Sequence, residues 1–142
     1  MESSGTLFRR ISVTAAVLEK DGMILIARRK RGDRLADKWE FPGGKIEPGE
    51  SAHTAVVREL DEELDILADP DVVFHTQEWI YGDASYKVTY FIVRHYTGSP
   101  INNAFECFRW VTPLELLGMD ILEGNREAIE KLVALPVHDY PA

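Results

Sequence analysis

The stretch GKIEPGESAHTAVVRELDEELDI, Gly44 to Ile66, is the most informative in the chain. Glu47-Pro48-Gly49-Glu50 has turn chemistry, because proline presets φ and glycine accepts φ values closed to other residues. Ser51 can accept a hydrogen bond from one of the free N–H groups that open a helix, so the sequence predicts a helix from Ser51 to about Leu64. Winding that helix at about 100° per residue from Glu59 places Ala55, Ala52, Val56, Leu60 and Leu64 at about −40°, 20°, 60°, 100° and 140°. These five side chains form one apolar arc. Glu63, at about 40°, falls inside the arc with Glu59, and Glu62, at about −60°, borders it. An acidic run such as Glu59, Asp61, Glu62 and Glu63 is ordinarily a solvated face, here with an Arg58–Glu62 pair one turn apart. Carboxylates beside an apolar face, however, repel one another and lose hydration unless something positive neutralises them. A bound cation is the simplest remedy, and a donor set without Cys or His suits Mg²⁺, or Mn²⁺ in its place, better than Zn²⁺.

Upstream of the helix, Ile11 to Leu18 and Met23 to Arg29 are β-rich runs joined through Glu19-Lys20-Asp21-Gly22, and the Asp-Gly pair predicts a hairpin. The charged segment Lys30 to Lys38 reads as a surface loop leading into Trp39-Glu40-Phe41-Pro42-Gly43-Gly44, whose glycines let backbone approach a ligand closely. Downstream, Val72 to Tyr81 and Tyr86 to Tyr96 read as strands separated by Gly82-Asp83-Ala84-Ser85, and Phe105 to Val111 as another. Thr112-Pro113 opens a short helix through Leu117. Asn125 to Leu135, with Ala128, Ile129, Leu132, Val133 and Leu135 apolar, has the spacing of an amphipathic helix packing on the sheet. Strands, helix, strands, helix is the order of a mixed α/β (α+β) fold, a sheet held between helices, rather than of repeated βαβ units.

The 142 residues, 45% of them hydrophobic, are enough for one core, so a single domain spanning 1–142 is expected, with 1–6 and 138–142 frayed. A net charge of −8 argues against a protein that grips polymeric nucleic acid by its phosphates, whereas a small phosphorylated ligand remains compatible because a metal ion reverses the local sign. Cys107 stands alone, so no intramolecular disulfide is expected. His53, His75, His95 and His138 lack metal-ligand spacing. No signal segment or apolar run of membrane-spanning length is apparent, which predicts a cytoplasmic protein without membrane contact.

Gly44, five residues, Glu50, seven residues, then Arg58-Glu59-Leu60-Asp61-Glu62-Glu63-Leu64-Asp65-Ile66 resembles the signature of the Nudix hydrolase family, G-x5-E-x7-R-E-U-x-E-E-x-G-U with U aliphatic. The departure is Asp65, where the pattern has a glycine that closes the helix in a left-handed conformation; Asp is among the few other residues that tolerate it. The resemblance implies the family's α/β/α sandwich and Mg²⁺-dependent attack of water on a nucleoside triphosphate, giving monophosphate and pyrophosphate. It further implies metal ligation by Glu59, Glu62, Glu63 and the carbonyl of Gly43, with Arg58 orienting the carboxylates. Glu50 is then either a metal contact through water or a support for the loop. The general base comes from this helix or from a later loop, where Glu106 is the candidate, although it could equally be a solvated strand-edge glutamate.

Trp39 to Glu47 and Gly124-Asn125-Arg126-Glu127-Ala128-Ile129 resemble the MutT-type branch, which acts on oxidised guanine nucleotides such as 8-oxo-dGTP. By that resemblance Asn125 reads the purine edge, and Arg28, Arg29 and Phe41 contact the nucleotide. Asn125 could equally serve as a helix N-cap, Arg29 as a solvated strand residue and Phe41 as core. Similar enzymes that prefer cytidine nucleotides share the Trp-Glu-Phe segment but usually carry Asp at the position of Asn125, which leaves a cytidine-preferring or broad enzyme as the alternative. A catalytically silent binding domain is disfavoured, since it has no reason to keep clustered, mutually repelling carboxylates. Monomer and homodimer both remain open.

Overall fold

The computed structural model describes residues 9–32 and 35–135. Strand β1 (Arg9–Lys20) turns directly into β2 (Met23–Arg28), pairing Lys20 with Met23 and Glu19 with Ile24. Asp21 and Gly22 both take positive φ, 54° and 79°, as the two-residue turn that matches strand twist requires. Short strands β3 (Trp39–Glu40) and β4 (Gly43–Lys45) follow, then helix α1 (Ala52–Leu64). Next come β5 (Leu67–Asp69), β6 (Val72–Tyr81), β7 (Ala84–Val93), β8 (His95–Thr97) and β9 (Cys107–Val111). Two 3₁₀ turns, Leu114–Gly118 and Glu123–Asn125, lead into α2 (Arg126–Ala134).

The main sheet runs β3-β2-β1-β7-β6, with β4 also on β1 and β9 also on β2. β1 and β7 are parallel and the other pairs antiparallel, so the sheet is mixed, as expected. Ala16, Val17 and Leu18 are fully buried because both faces of β1 are covered. Val17, Ile24, Ile26, Tyr90 and Ile92 pack with Ala128, Ile129 and Leu132 of α2. Their neighbours in sequence, Ala16, Leu18, Leu25, Phe91 and Val93, pack with Val56, Leu60 and Leu64 of α1. Strand alternation thus builds two cores from consecutive residues, and the result is the expected α/β/α sandwich.

Several boundaries differ from the sequence expectation. The turn between β6 and β7 is only Gly82-Asp83, because Tyr81 pairs with Ala84. The run to Tyr96 splits at Arg94, whose guanidinium reaches Glu19 at 2.8 Å, and β8 then pairs with β5 in a separate small sheet. β9 starts at Cys107 instead of Phe105. The Asn102 side chain accepts from Ala104 N and Phe105 N and donates to Phe105 O, which occupies that backbone in a turn. The segment after Thr112 is a 3₁₀ turn closed by reciprocal bonds between Thr112 and Glu115. The ends expected to fray, 1–6 and 138–142, lie outside the described residues. Among the described residues no helix is long and apolar enough to cross a membrane.

Candidate active site

Helix α1 begins where Ser51 Oγ accepts from Thr54 N at 3.0 Å, and ends at Asp65, whose φ of 58° and ψ of 40° are left-handed. Between these caps Ala55, Val56, Leu60 and Leu64 of the arc drawn from the sequence are buried, and Ala52 is half-buried. Glu59 is drawn down with them, its side chain 14% exposed, while Glu62 at the border is 56% exposed.

Arg58 is the hub of the acidic cluster. Its Nε donates to Glu50 Oε2 at 2.6 Å, and one terminal nitrogen donates to Glu50 Oε1 at 3.0 Å and Lys45 O at 3.1 Å. The other reaches Glu59 Oε2 at 3.3 Å and Glu62 Oε1 at 3.2 Å. Glu50 also accepts from Glu47 N at 2.9 Å, closing the turn that precedes α1. The Arg58 hydrogen bonds, with help from Glu47 N, hold the Glu50 carboxyl down at about 2. Glu50 in turn raises Arg58 above its ordinary range.

Glu59 and Glu63 behave in the opposite way. Burial raises Glu59, against the pull of Arg58. Burial also pushes Glu63 up to about 8, and the neighbouring charge of Glu59 adds to the shift. Glu63 Oε1 accepts from Gly43 N at 3.0 Å, which fastens the helix to β4. Gly43 has a φ of 151° and packs so tightly on β1 that a Cβ there would overlap the Thr14 carbonyl; a Cβ on Gly44 would overlap the Glu59 carboxylate. The glycine pair therefore lets backbone lie directly against the two acids.

Among the described residues, no three carboxylate, imidazole or thiol groups converge as a ready-made metal cage. Arg58 draws Glu59 and Glu62 to itself instead. The chemistry nonetheless fits a hard divalent cation. The donors are all oxygens, and burial together with mutual repulsion makes two of them hard to ionise without an added positive charge.

Glu63 and the β4 backbone of Gly43, Gly44 and Lys45 line a cavity of about 430 Å³. Phe41, Asn125, Gly124, Trp79, Tyr81 and Tyr86 line it as well. Asn125 is buried, and its amide orientation is fixed: Oδ1 accepts from Phe41 N at 3.1 Å and Nδ2 donates to Tyr90 Oη at 2.9 Å. Burial pushes the Tyr90 phenol up to about 12, so it stays protonated and donates onward to Gly124 O at 3.0 Å. The amide keeps one N–H and one oxygen lone pair for another partner. Asn125 stands at the N-cap position of α2 but makes no side-chain capping bond to it. Phe41 is both core and wall, 4% exposed and edge-on to Tyr90 at 6.0 Å.

Arg29 lies on the cavity, one guanidinium nitrogen bonded to both Glu40 oxygens at 3.0 and 2.9 Å. Arg28, the last residue of β2, lies 5.7 Å from the Trp39 ring and does not line the cavity. Glu106 is exposed, precedes β9 and likewise does not line it. Thus Glu63, Gly43, Arg29, Phe41 and Asn125 meet at the cavity. Glu50, Arg58, Glu59 and Glu62 form the network beside it. Sequence reasoning overlooked Trp79, Tyr81 and Tyr86. Aromatic residues at 79 and 81 share one face of a strand, and Trp79 pairs with Tyr86, a signal readable only once the hairpin register is known.

The family model described as the NUDIX domain matches residues 8–132. The 8-oxo-dGTP diphosphatase of Escherichia coli K12 is 30% identical over 128 residues, 89% of this chain and 99% of that protein. The CTP pyrophosphohydrolase of the same organism is 34% identical over 132 residues, covering 89% and 94%. Among solved structures, the E. coli ORF135 protein superposes with a TM-score of 0.84 at 31% identity, over 94% of this chain and 95% of that one. A MutT NUDIX hydrolase from Burkholderia pseudomallei gives 0.78 at 25% identity, over 86% and 97%.

Proposed function

Because this chain belongs to the Nudix hydrolase family, in its MutT-type branch, we propose that it is a Mg²⁺-dependent nucleoside triphosphate pyrophosphohydrolase that prefers an oxidised guanine nucleotide such as 8-oxo-dGTP. One observation carries the reading: a single cavity joins the half-buried acid Glu63 and the glycine backbone of β4 to the oriented amide of Asn125. This shared cavity supports the reading of a polyphosphate-handling region and a base-reading group acting on one small molecule.

In this reading Glu59, Glu62, Glu63 and the Gly43 carbonyl hold the metal. A bound cation would supply charge neutralisation for the polyphosphate and would lower the pKa of water. Arg58 orients Glu59 and Glu62 through charge-assisted bonds. Glu50 supports the loop, since both its oxygens are already engaged by Arg58 and Glu47 N. Taking the general base from the α1 cluster rather than from Glu106 is supported by position, because Glu106 does not line the cavity. Arg29 and Phe41 shape the base pocket, and Asn125 reads the base edge. Its spare N–H and lone pair suit an edge with an acceptor beside a donor, which oxidation at C8 creates in guanine by adding a proton to N7 next to O6.

Cytosine also presents a donor beside an acceptor, and the 34% identity to a CTP pyrophosphohydrolase keeps a cytidine substrate as the second reading. Pyrophosphate release from 8-oxo-dGTP, dGTP, CTP and dCTP under saturating Mg²⁺ separates the two. The proposal expects kcat/KM for 8-oxo-dGTP to exceed that for the others by about tenfold or more, roughly the weight of one well-placed polar contact. Equal values across the panel would overturn the substrate, and no hydrolysis of any triphosphate would overturn the activity.

A further inference from the structure

We propose that Trp79 is a specificity-determining residue, an aromatic wall that favours two-ring over one-ring bases, and that Gly124 exists as glycine to seat it. This rests on the cavity being the nucleotide site. Trp79 lies on β6, half-buried, on the cavity side of the strand. It stacks on Tyr81, with ring centroids 5.6 Å apart and planes 24° apart, and leans on Tyr86 across the hairpin at 6.2 Å. A Cβ on Gly124 would come within 2.5 Å of the indole's six-membered ring. Gly124 is absent from the positive-φ residues, so its backbone does not call for glycine; the space taken by the indole does.

Gly124 also ties this wall to the edge-reading amide. Its carbonyl accepts from Tyr90 Oη, which accepts from Asn125 Nδ2. Residues 124 and 125 therefore fix, side by side on one turn, the ring the base packs against and the amide that meets its edge. A purine covers more of an aromatic wall than a pyrimidine does, so contact area discriminates where donor and acceptor patterns overlap.

The test is calorimetric titration of the full-length protein with dGMP and dCMP in Mg²⁺, for the unsubstituted protein and for W79L, W79F, G124A and W79L/G124A. The unsubstituted protein should bind dGMP more tightly than dCMP. W79L should weaken dGMP about tenfold and erase the preference, whereas W79F should retain most of both. G124A should reproduce the W79L loss yet add little in the W79L background, because both act through the same indole. With triphosphates the loss should fall on KM rather than kcat. Equal binding of the two monophosphates by the unsubstituted protein, a W79F protein as impaired as W79L, dGMP affinity within twofold after W79L, or additive effects of W79L and G124A would each overturn the inference. Failure of triphosphate hydrolysis would sink the proposed function while leaving this binding test standing.

Discussion

At Asn125 one amide satisfies the buried N–H of Phe41 and the hydroxyl of Tyr90 and still has a donor and an acceptor to offer. Asn125→Ala should therefore have two separable effects. It leaves Phe41 N–H without its acceptor, which should cost about 1–3 kcal/mol of stability in urea denaturation. It should also level the preference for 8-oxo-dGTP over dGTP in the substrate panel. A variant that keeps full stability would show that Phe41 N–H finds another partner. The sequence placed Asn125 at the start of a helix and so left cap and base-reader open; its two amide atoms make contacts with residues 84 and 35 positions away, which no local pattern foretold. Arg28 and Arg29 are the same residue type and adjacent in sequence, yet one ends β2 beside the Trp39 ring and the other, just past the strand, lies on the cavity.

On the scale of elements, α1 was legible almost to the residue, because its signals are local: an N-cap serine, an apolar arc and a left-handed stop. The stop is imperfect, since Asp65 holds φ at 58° with a side chain where glycine would carry none. Asp65→Gly should relieve this and stabilise the protein by about 0.5–1 kcal/mol. Thermal denaturation reads the change as a rise in Tm, and a fall would mean that the Asp65 side chain contributes something its exposure does not suggest. The short strands β3, β4, β5 and β8 were not legible, being two or three residues long and defined by their partners rather than by their own pattern. The early end of β7 has the same origin: Tyr86 to Tyr96 is β-rich throughout, but the Arg94 ion pair with Glu19 divides it between two sheets.

For the whole molecule, the acidic cluster links stability to pH and, under the proposed function, to metal. Glu50 falls from its ordinary 4.5 to about 2 on folding, so its contribution is present above pH 4.5 and is lost as pH falls from about 4.5 towards 2. Acid unfolding of Glu50→Gln should accordingly show a shallower loss of stability in that window, and an unchanged slope would contradict the assignment. Mg²⁺ should raise Tm, by an amount set by its concentration relative to its Kd. In Glu63→Gln that rise should largely vanish and turnover should drop about a hundredfold or more with the circular dichroism spectrum unchanged. Unaltered turnover at saturating Mg²⁺ would refute Glu63 as a ligand. The sequence alone determined the helix from Ser51 to Leu64, within the stretch Gly44 to Ile66, and the placing of its carboxylates in an apolar arc, because helical periodicity and end signals act within a few residues. It likewise determined the order of the main strands and the oxygen-only character of the acidic cluster. Only the tertiary structure decided that Arg58 gathers Glu50, Glu59 and Glu62 while Glu63 turns to Gly43, that Asn125 meets Phe41, and that Trp79 closes on Gly124. Those contacts depend on how a mixed sheet brings distant segments together, and no local pattern encodes the register that sets them.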